Sequence, residues 1–336
     1  MKSKIYTIAK VIFFLSIAGL LAWLPLRNLT AAERNQILLA FSNVHAWVII
    51  PVFIAGFASH LSRARRWQLL ISTSGTTPKL DTTFYAVIIG YIANLALPRM
   101  GEVLRCGIIN RYEKIQVAPL IGTMLIERLV DVLFLLVIIS ITALTQSSLF
   151  FRYMIENNIN FDMFINFFTK ISLFKILIMV GIVVCYFIVR YLTKKYKINA
   201  LLSDKWIGFK LGFGSINNVE NKLEFWFHSV FIWLMYFCMM YMAFWCLDIT
   251  SHLGIAATFS LLAFGSIGML VTQGGIGAYP LIIGATLVLY DIPFQPSGLA
   301  FGWLIWVAQT AIIIVLGVIS LLLLQFTKKP INYQKN

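Results

Sequence analysis

The sequence predicts an all-α polytopic membrane protein with six full spans and two re-entrant broken-helix hairpins in an inverted repeat, both termini being cytoplasmic. Three observations lead there. Of 336 residues, 60% are hydrophobic and only 12% charged, against about 25% charged in a globular domain, and mean hydropathy is +0.85. The apolar residues form long continuous runs, without the in-and-out alternation of a barrel strand. Two of the runs are interrupted in matching places, by Pro98 and Gly101 and by Gly274, Gly275 and Gly277. The most polar stretch, from Lys194 to Lys222, is too short to build a soluble core of its own.

The net charge of +14 would suggest nucleic acid in a soluble chain. Here the basic residues are scattered over loops between apolar runs. That pattern fits loops facing an anionic cytoplasmic leaflet, and no nucleic-acid partner is expected. Cys106, Cys185, Cys238 and Cys246 form no CxxC pair, and the four histidines are equally dispersed. Neither a disulfide framework nor a metal site is expected, and no cofactor.

Taken in order, the chain starts with Lys2, Lys4 and Lys10 and an apolar run from about Ile8 to Leu26. The run exceeds a typical signal-peptide core and lacks a small-x-small cleavage site, so it reads as an uncleaved first span. A second span, about Trp47 to Leu61, ends among Arg63, Arg65 and Arg66, which the positive-inside rule places in the cytoplasm with the N-terminus. Two short apolar pieces follow, Phe84–Leu97 and Val103–Ile109. The first makes roughly 21 Å of helix, short of a hydrocarbon core of about 30 Å. A full crossing there would also strand Arg99, Arg105, Arg111 and Lys114 outside. A hairpin near 84–110 that enters and leaves on the cytoplasmic side removes both conflicts.

The third span, about Pro119 to Thr145, carries Glu127, Arg128 and Asp131. Each such charge at a span centre costs around 2.5–3.5 kcal/mol on insertion scales, so the three must pair or face water. An outer loop begins at Gln146, and a fourth span, about Phe174 to Tyr191, returns to a basic loop whose Trp206, Phe209, Leu211 and Phe213 look interfacial. The fifth span, about Phe225 to Leu247, is rich in aromatics and Met, which reads as packing and lipid contact. Two short pieces recur, Ile255–Thr272 and Ala278–Leu289, around Gln273-Gly274-Gly275-Ile276-Gly277, before a last span from about Leu299 to Phe326. The expected division is thus a first repeat, 1–146, an outer loop, 147–173, a second repeat, 174–328, with its hairpin near 255–289, and a cytoplasmic tail, 329–336. Inverted repeats of this kind hold substrate between broken-helix tips near mid-membrane.

The breaks carry the chemistry. Pro98 suits the first position of a new helix, whose free N–H groups with Arg99 would form an anion site. Arg99, Glu102 and Arg105 are spaced to share one face. Glu102 can pair with one Arg and leave one positive charge for a phosphate, which Arg can grip through two nitrogens. Glu127 and Asp131 share a face of their span. Three readings of them stand: they neutralise Arg99, Arg105 or Arg128 for structure, the network exchanges partners as an ionic headgroup passes, or a carboxylate takes a proton. At the second break, Gly274, Gly275 and Gly277 either form an N–H nest for an anion or only permit the bend. Gln273, Tyr279 and Gln309 are its polar neighbours. Asn94 completes the candidate substrate-binding set. No catalytic motif is found.

Asn94-x-x-Leu97-Pro98-x-x-Gly101-Glu102-x-x-Arg105, then Glu127-Arg128-x-x-Asp131 and Gly274-Gly275-Ile276-Gly277, resemble the transmembrane domain of lysylphosphatidylglycerol synthase and its stand-alone flippase-like relatives. The resemblance implies a protein of the bacterial cytoplasmic membrane that moves a lipid between leaflets. Two-part members of the family also carry a soluble aminoacyltransferase domain, which is not expected here. Gln273 stands where the family often has a Pro, and Pro280 where an acidic residue is common. The expected function is a flippase or transporter for an anionic phospholipid or lipid-linked substrate. The alternatives are a non-catalytic accessory subunit of a lipid or glycan synthase, and a membrane enzyme acting on a lipid phosphate. A synthase or a second copy of the chain is the protein partner to be considered.

Overall fold

Most of the helices begin at a cap or breaker that the sequence supplies. The computed structural model describes residues 30–32, 34, 35, 42, 44–96, 100–156 and 215–327. The first and fourth expected spans, the basic loop through Phe213, Leu97, Pro98, Arg99 and the C-terminal tail lie outside them. Helix α1, Ile49–Ser72, contains Pro51 only in its first turn and stops before Gly75, whose φ of 86° a Cβ would strain. Helix α2, Leu80–Ala96, follows Pro78 and has Asp81 in its first turn. Helix α3, Met100–Glu113, ends at Lys114, which sits at φ 58°. Helix α4, Val117–Glu156, carries Pro119 in its first turn. Helix α5, Lys222–Ala243, is capped by Asn221, whose side-chain oxygen accepts the Glu224 N–H while its amide reaches back to the Glu224 carboxylate. Then come α6, Ile255–Val271, α7, Ala278–Val288, and α8, Leu299–Thr327.

The described residues are all helix, turn or loop, with no strand. Ala46–Ser72, Lys222–Cys246 and Phe294–Phe326 are long and apolar enough to cross a membrane, and Leu80–Leu95, Ile255–Leu270 and Ala278–Val288 are shorter apolar helices. The helix bounds match the second expected broken segment and the last span within a residue, whereas in the first broken segment α2 starts four residues earlier than expected and α3 runs to twice the expected length. Two differences stand out. Helix α1 does not stop at Leu61 but continues through Arg63, Arg65 and Arg66. Helix α4 continues past Gln146, where the sequence predicts a loop, to Glu156.

Each broken segment folds back on itself. Helices α2 and α3 run antiparallel and touch backbone to backbone at Gly90 and Gly101, where any side chain on Gly101 would overlap the Gly90 carbonyl. Helices α6 and α7 do the same, Gly265 and Gly268 lying against Tyr279 and Ile283. One apolar core joins α1, α2, α3 and α4 around Trp67, Ile71, Cys106 and Leu120. Another joins α5, α6, α7 and α8 around Phe244, Leu261, Ile283 and Phe301. Ala55, Ile88, Met239, Ile312 and Leu316 bridge the two. The two folded-back segments meet as well, Gly274 resting on Leu95 in the last turn of α2.

Candidate functional site

A helix with no Pro or Gly between Phe57 and Ser72 carries Arg63 and Arg66 inward once its apolar face packs. Both are buried, at 4% and 0% exposure. Their partners are on α4, where Glu127 and Asp131 are one turn apart on one face. Arg63 Nη1 donates to Glu127 Oε1 at 3.0 Å and to Asp131 Oδ2 at 2.7 Å. Arg66 Nη2 donates to Asp131 Oδ1 at 2.7 Å. From α3, Arg105 Nη2 donates to Glu127 Oε2 at 2.5 Å. The Arg105 guanidinium also lies 3.8 Å over the Trp67 ring, whose Nε1 donates to Thr123. Three helices are therefore tied together through two carboxylates.

The fourth guanidinium is held differently. Arg128 Nε lies 3.6 Å from Glu102 Oε1, and Arg128 Nη1 lies 3.9 Å from Asp131 Oδ2. Both distances are too long for hydrogen bonds. Four guanidiniums face three carboxylates, which leaves one positive charge, and Arg128 is the least committed of the four. Donors are in excess too: the Nε atoms of Arg63, Arg66, Arg105 and Arg128 are buried without a hydrogen-bond partner.

Beside this cluster lies a cavity of ≈ 380 Å³ walled chiefly by α1, α4, α5, α6 and α8, with Tyr91 from α2 and Tyr279 from α7, a volume in the usual range for a small-molecule site. Arg63, Arg128 and Asp131 line it, with His60, Tyr91 and Tyr236 from α1, α2 and α5. Tyr236 accepts a hydrogen bond from Arg63 at 3.1 Å. Tyr279 and Gln309 line it from α7 and α8, the Gln309 amide donating to the Tyr279 hydroxyl at 3.4 Å. The other lining residues are largely apolar, and Val132 and Leu270 among them are 49% and 75% exposed. The cavity thus has polar groups inside and apolar residues that also reach the protein surface.

Among the expected binding residues, Arg128, Asp131, Tyr279 and Gln309 reach this cavity. Arg105 and Glu127 do not line it; they are partners in the buried cluster beside it. Glu102 sits half-buried behind Arg128. Asn94 acts as a helix cap: its side-chain oxygen accepts the Gly101 N–H at 2.8 Å and ties the last turn of α2 to the first turn of α3. Gly274, Gly275 and Gly277 all have positive φ, at 60°, 73° and 74°, so the turn itself requires glycine. The Gly274 carbonyl accepts the Trp306 Nε1 hydrogen at 2.8 Å. Arg99 and the Gln273 side chain lie outside what is described. Arg63, Arg66, His60, Tyr91 and Tyr236 escape sequence reasoning. The spacing of Arg63 and Arg66, facing the Glu127–Asp131 pair on another unbroken helix, was the available signal.

The class that fold and site define is an all-helical, multi-pass membrane protein with a buried arginine–carboxylate cluster beside an apolar-rimmed cavity. The chain belongs to the lysylphosphatidylglycerol synthase TM region family, whose model matches residues 7–327, and so to a family of membrane proteins connected with lipid handling. No curated protein and no solved structure matches it.

Proposed function

We propose that the protein is a flippase, moving an anionic phospholipid or lipid-linked substrate between leaflets without chemical change. Its headgroup enters the cavity beside the arginine–carboxylate cluster, and its chains stay against the apolar rim. The observation that carries this reading is the cavity wall itself: an underused guanidinium, Arg128, beside exposed apolar Val132 and Leu270. In this reading the two folded-back segments are re-entrant hairpins of two inverted repeats, 1–146 and 174–328, in the cytoplasmic membrane of a bacterium, with both termini and the 329–336 tail inside and the 147–173 loop outside. Arg63, Arg128, Tyr279 and Gln309 touch substrate, while Glu127, Arg66 and Arg105 hold the wall in place.

The test is translocation of fluorescent phosphatidylglycerol in proteoliposomes of the purified chain. Arg128→Gln and Tyr279→Phe are expected to slow it, and a surface change such as Leu223→Ala to leave it unaltered. Wild-type rates in both cavity variants would refute the site. A pure protein that moves no lipid yet copurifies with a synthase would replace transport by the accessory-subunit reading. Cysteine labelling adds a topological check: a cysteine at Arg111 that reacts from outside would refute the cytoplasmic hairpin.

A further inference from the structure

The cavity wall has a second polar pole, and it carries no charge. Tyr279 on α7 and Gln309 on α8 both line the space, the Gln309 amide reaching the Tyr279 hydroxyl at 3.4 Å. That contact is long for an N–H···O bond, and neither side chain has another hydrogen-bond partner among the described residues. The Tyr279 O–H, the Gln309 Oε1 and one Gln309 N–H are left over. Turning the amide over changes which atoms are left, but a donor and an acceptor remain either way. The lining around the pair is apolar, with Leu261, Met269, Ile312 and Ile313. Tyr279 is held firmly there, at 3% exposure. A Cβ on Gly265 would meet its ring at 3.0 Å, one on Gly268 its Cα at 3.0 Å, and one on Gly275 its Cβ at 3.1 Å. Gly265 and Gly268 lie inside α6, where glycine weakens a helix, so the chain gives up helix stability to seat this side chain. A Phe would fill the same space without burying a hydroxyl that lacks a good partner.

We infer that Tyr279 and Gln309 form a hydroxyl-recognition subsite, which reads a hydroxyl on the neutral part of the headgroup beyond its phosphate. This inference deepens the flippase reading and rests on its claim that the cavity holds a lipid headgroup. A phosphate does not answer this pair, because its oxygens only accept and would face the Gln309 Oε1. A hydroxyl is donor and acceptor in one atom. It accepts from the Tyr279 O–H and donates to the Gln309 Oε1, so both unused groups are satisfied at once. The phosphate stays with Arg63 and Arg128, and any further charge on the headgroup is left to the arginine–carboxylate wall. A headgroup that lacks the hydroxyl leaves two buried polar groups unpaired, which is how a site built to hydrogen-bond a hydroxyl rejects the analogue without one.

The experiment is native mass spectrometry of the full chain, titrated separately with dioleoyl phosphatidylglycerol and dioleoyl phosphatidylpropanol. The two lipids share the phosphodiester, its charge and a three-carbon headgroup, and differ only in the hydroxyls. Phosphatidylglycerol is expected to bind about fivefold to a hundredfold more tightly, the range of two neutral hydrogen bonds. Tyr279→Phe and Gln309→Leu are each expected to bring the ratio towards one, whereas Arg128→Gln weakens both lipids and keeps the ratio. Equal binding of the two lipids to the wild-type chain overturns the inference, and that comparison decides it even if a variant misfolds. A full preference surviving in both Tyr279→Phe and Gln309→Leu overturns it as well. Preference for phosphatidylglycerol without translocation in proteoliposomes sinks transport and leaves the subsite standing. Translocation with equal binding does the reverse, and failure to bind either lipid refutes both.

Discussion

Replacing Glu127 by Gln removes a fully buried carboxylate that takes Arg105 at 2.5 Å, Arg63 at 3.0 Å and Arg66 at 3.5 Å. Gln keeps the shape and loses the charge. Asp131 alone then faces three buried guanidiniums. Two charge-assisted hydrogen bonds contribute about 1.5–3 kcal/mol each, so roughly 3–6 kcal/mol is at stake. Breaking buried pairs by removing one partner costs about 3–5 kcal/mol, the same range. On the scale of soluble domains, about 2–4 °C per kcal/mol, melting should fall by roughly 6–20 °C. The assay is thermal unfolding in detergent, followed by loss of the monodisperse peak in size-exclusion chromatography. The internal comparison is Glu102→Gln, whose half-exposed partner Arg128 lies 3.6 Å away; as a solvent-screened pair it contributes at most about 1 kcal/mol. If Glu127→Gln melts no lower than Glu102→Gln, the buried cluster does not hold the three helices together.

Other substitutions probe the tips and the helix contacts. Asn94→Ala removes the acceptor of the Gly101 N–H and should cost about 0.5–2 kcal/mol, read as a lower midpoint in the same melt. Gly101→Ala places a methyl group on the Gly90 carbonyl and should abolish recovery of folded protein, whereas Gly107→Ala, with open space around it, should be recovered normally. Trp306→Phe deletes the donor to the Gly274 carbonyl and should lower stability by about 1 kcal/mol; an unchanged melt would show that the second tip does not depend on that bond.

The folded-back segments were legible because each combines a length too short to span with residues that forbid a continuous helix. Glu127 and Asp131 were legible because apolar surroundings make two acids on one helical face costly without partners. The partners were misjudged for an understandable physical reason. Arg63 and Arg66 follow an apolar run, and such a cluster ordinarily marks a span's end at the cytoplasmic surface. Yet no Pro or Gly follows until Gly75, so the helix runs on and packs. Sequence spacing also could not tell that Arg105, expected to meet substrate, would be held by Glu127 and the Trp67 ring. Nor could it tell that the polar Asn94 would spend its side chain on a neighbouring helix start. Those assignments depend on which helices become neighbours, and local pattern does not encode that. At the other pole, Tyr279 and Gln309, named only as polar neighbours of the glycine turn, do meet each other on the cavity wall.

The arginine cluster also sets an order of events at the ribosome. Arg63 leaves the tunnel 64 residues ahead of Glu127. At about 5–20 residues per second, that is a delay of roughly 3–13 s. During it, Arg63 and Arg66 have no carboxylate on α4 to receive them. Each would cost a few kcal/mol if driven into hydrocarbon alone. The arginine-bearing end of α1 is therefore expected to wait at a wet surface until α4 arrives, so that the two helices settle together and a ribosome stalled between them leaves α1 unanchored.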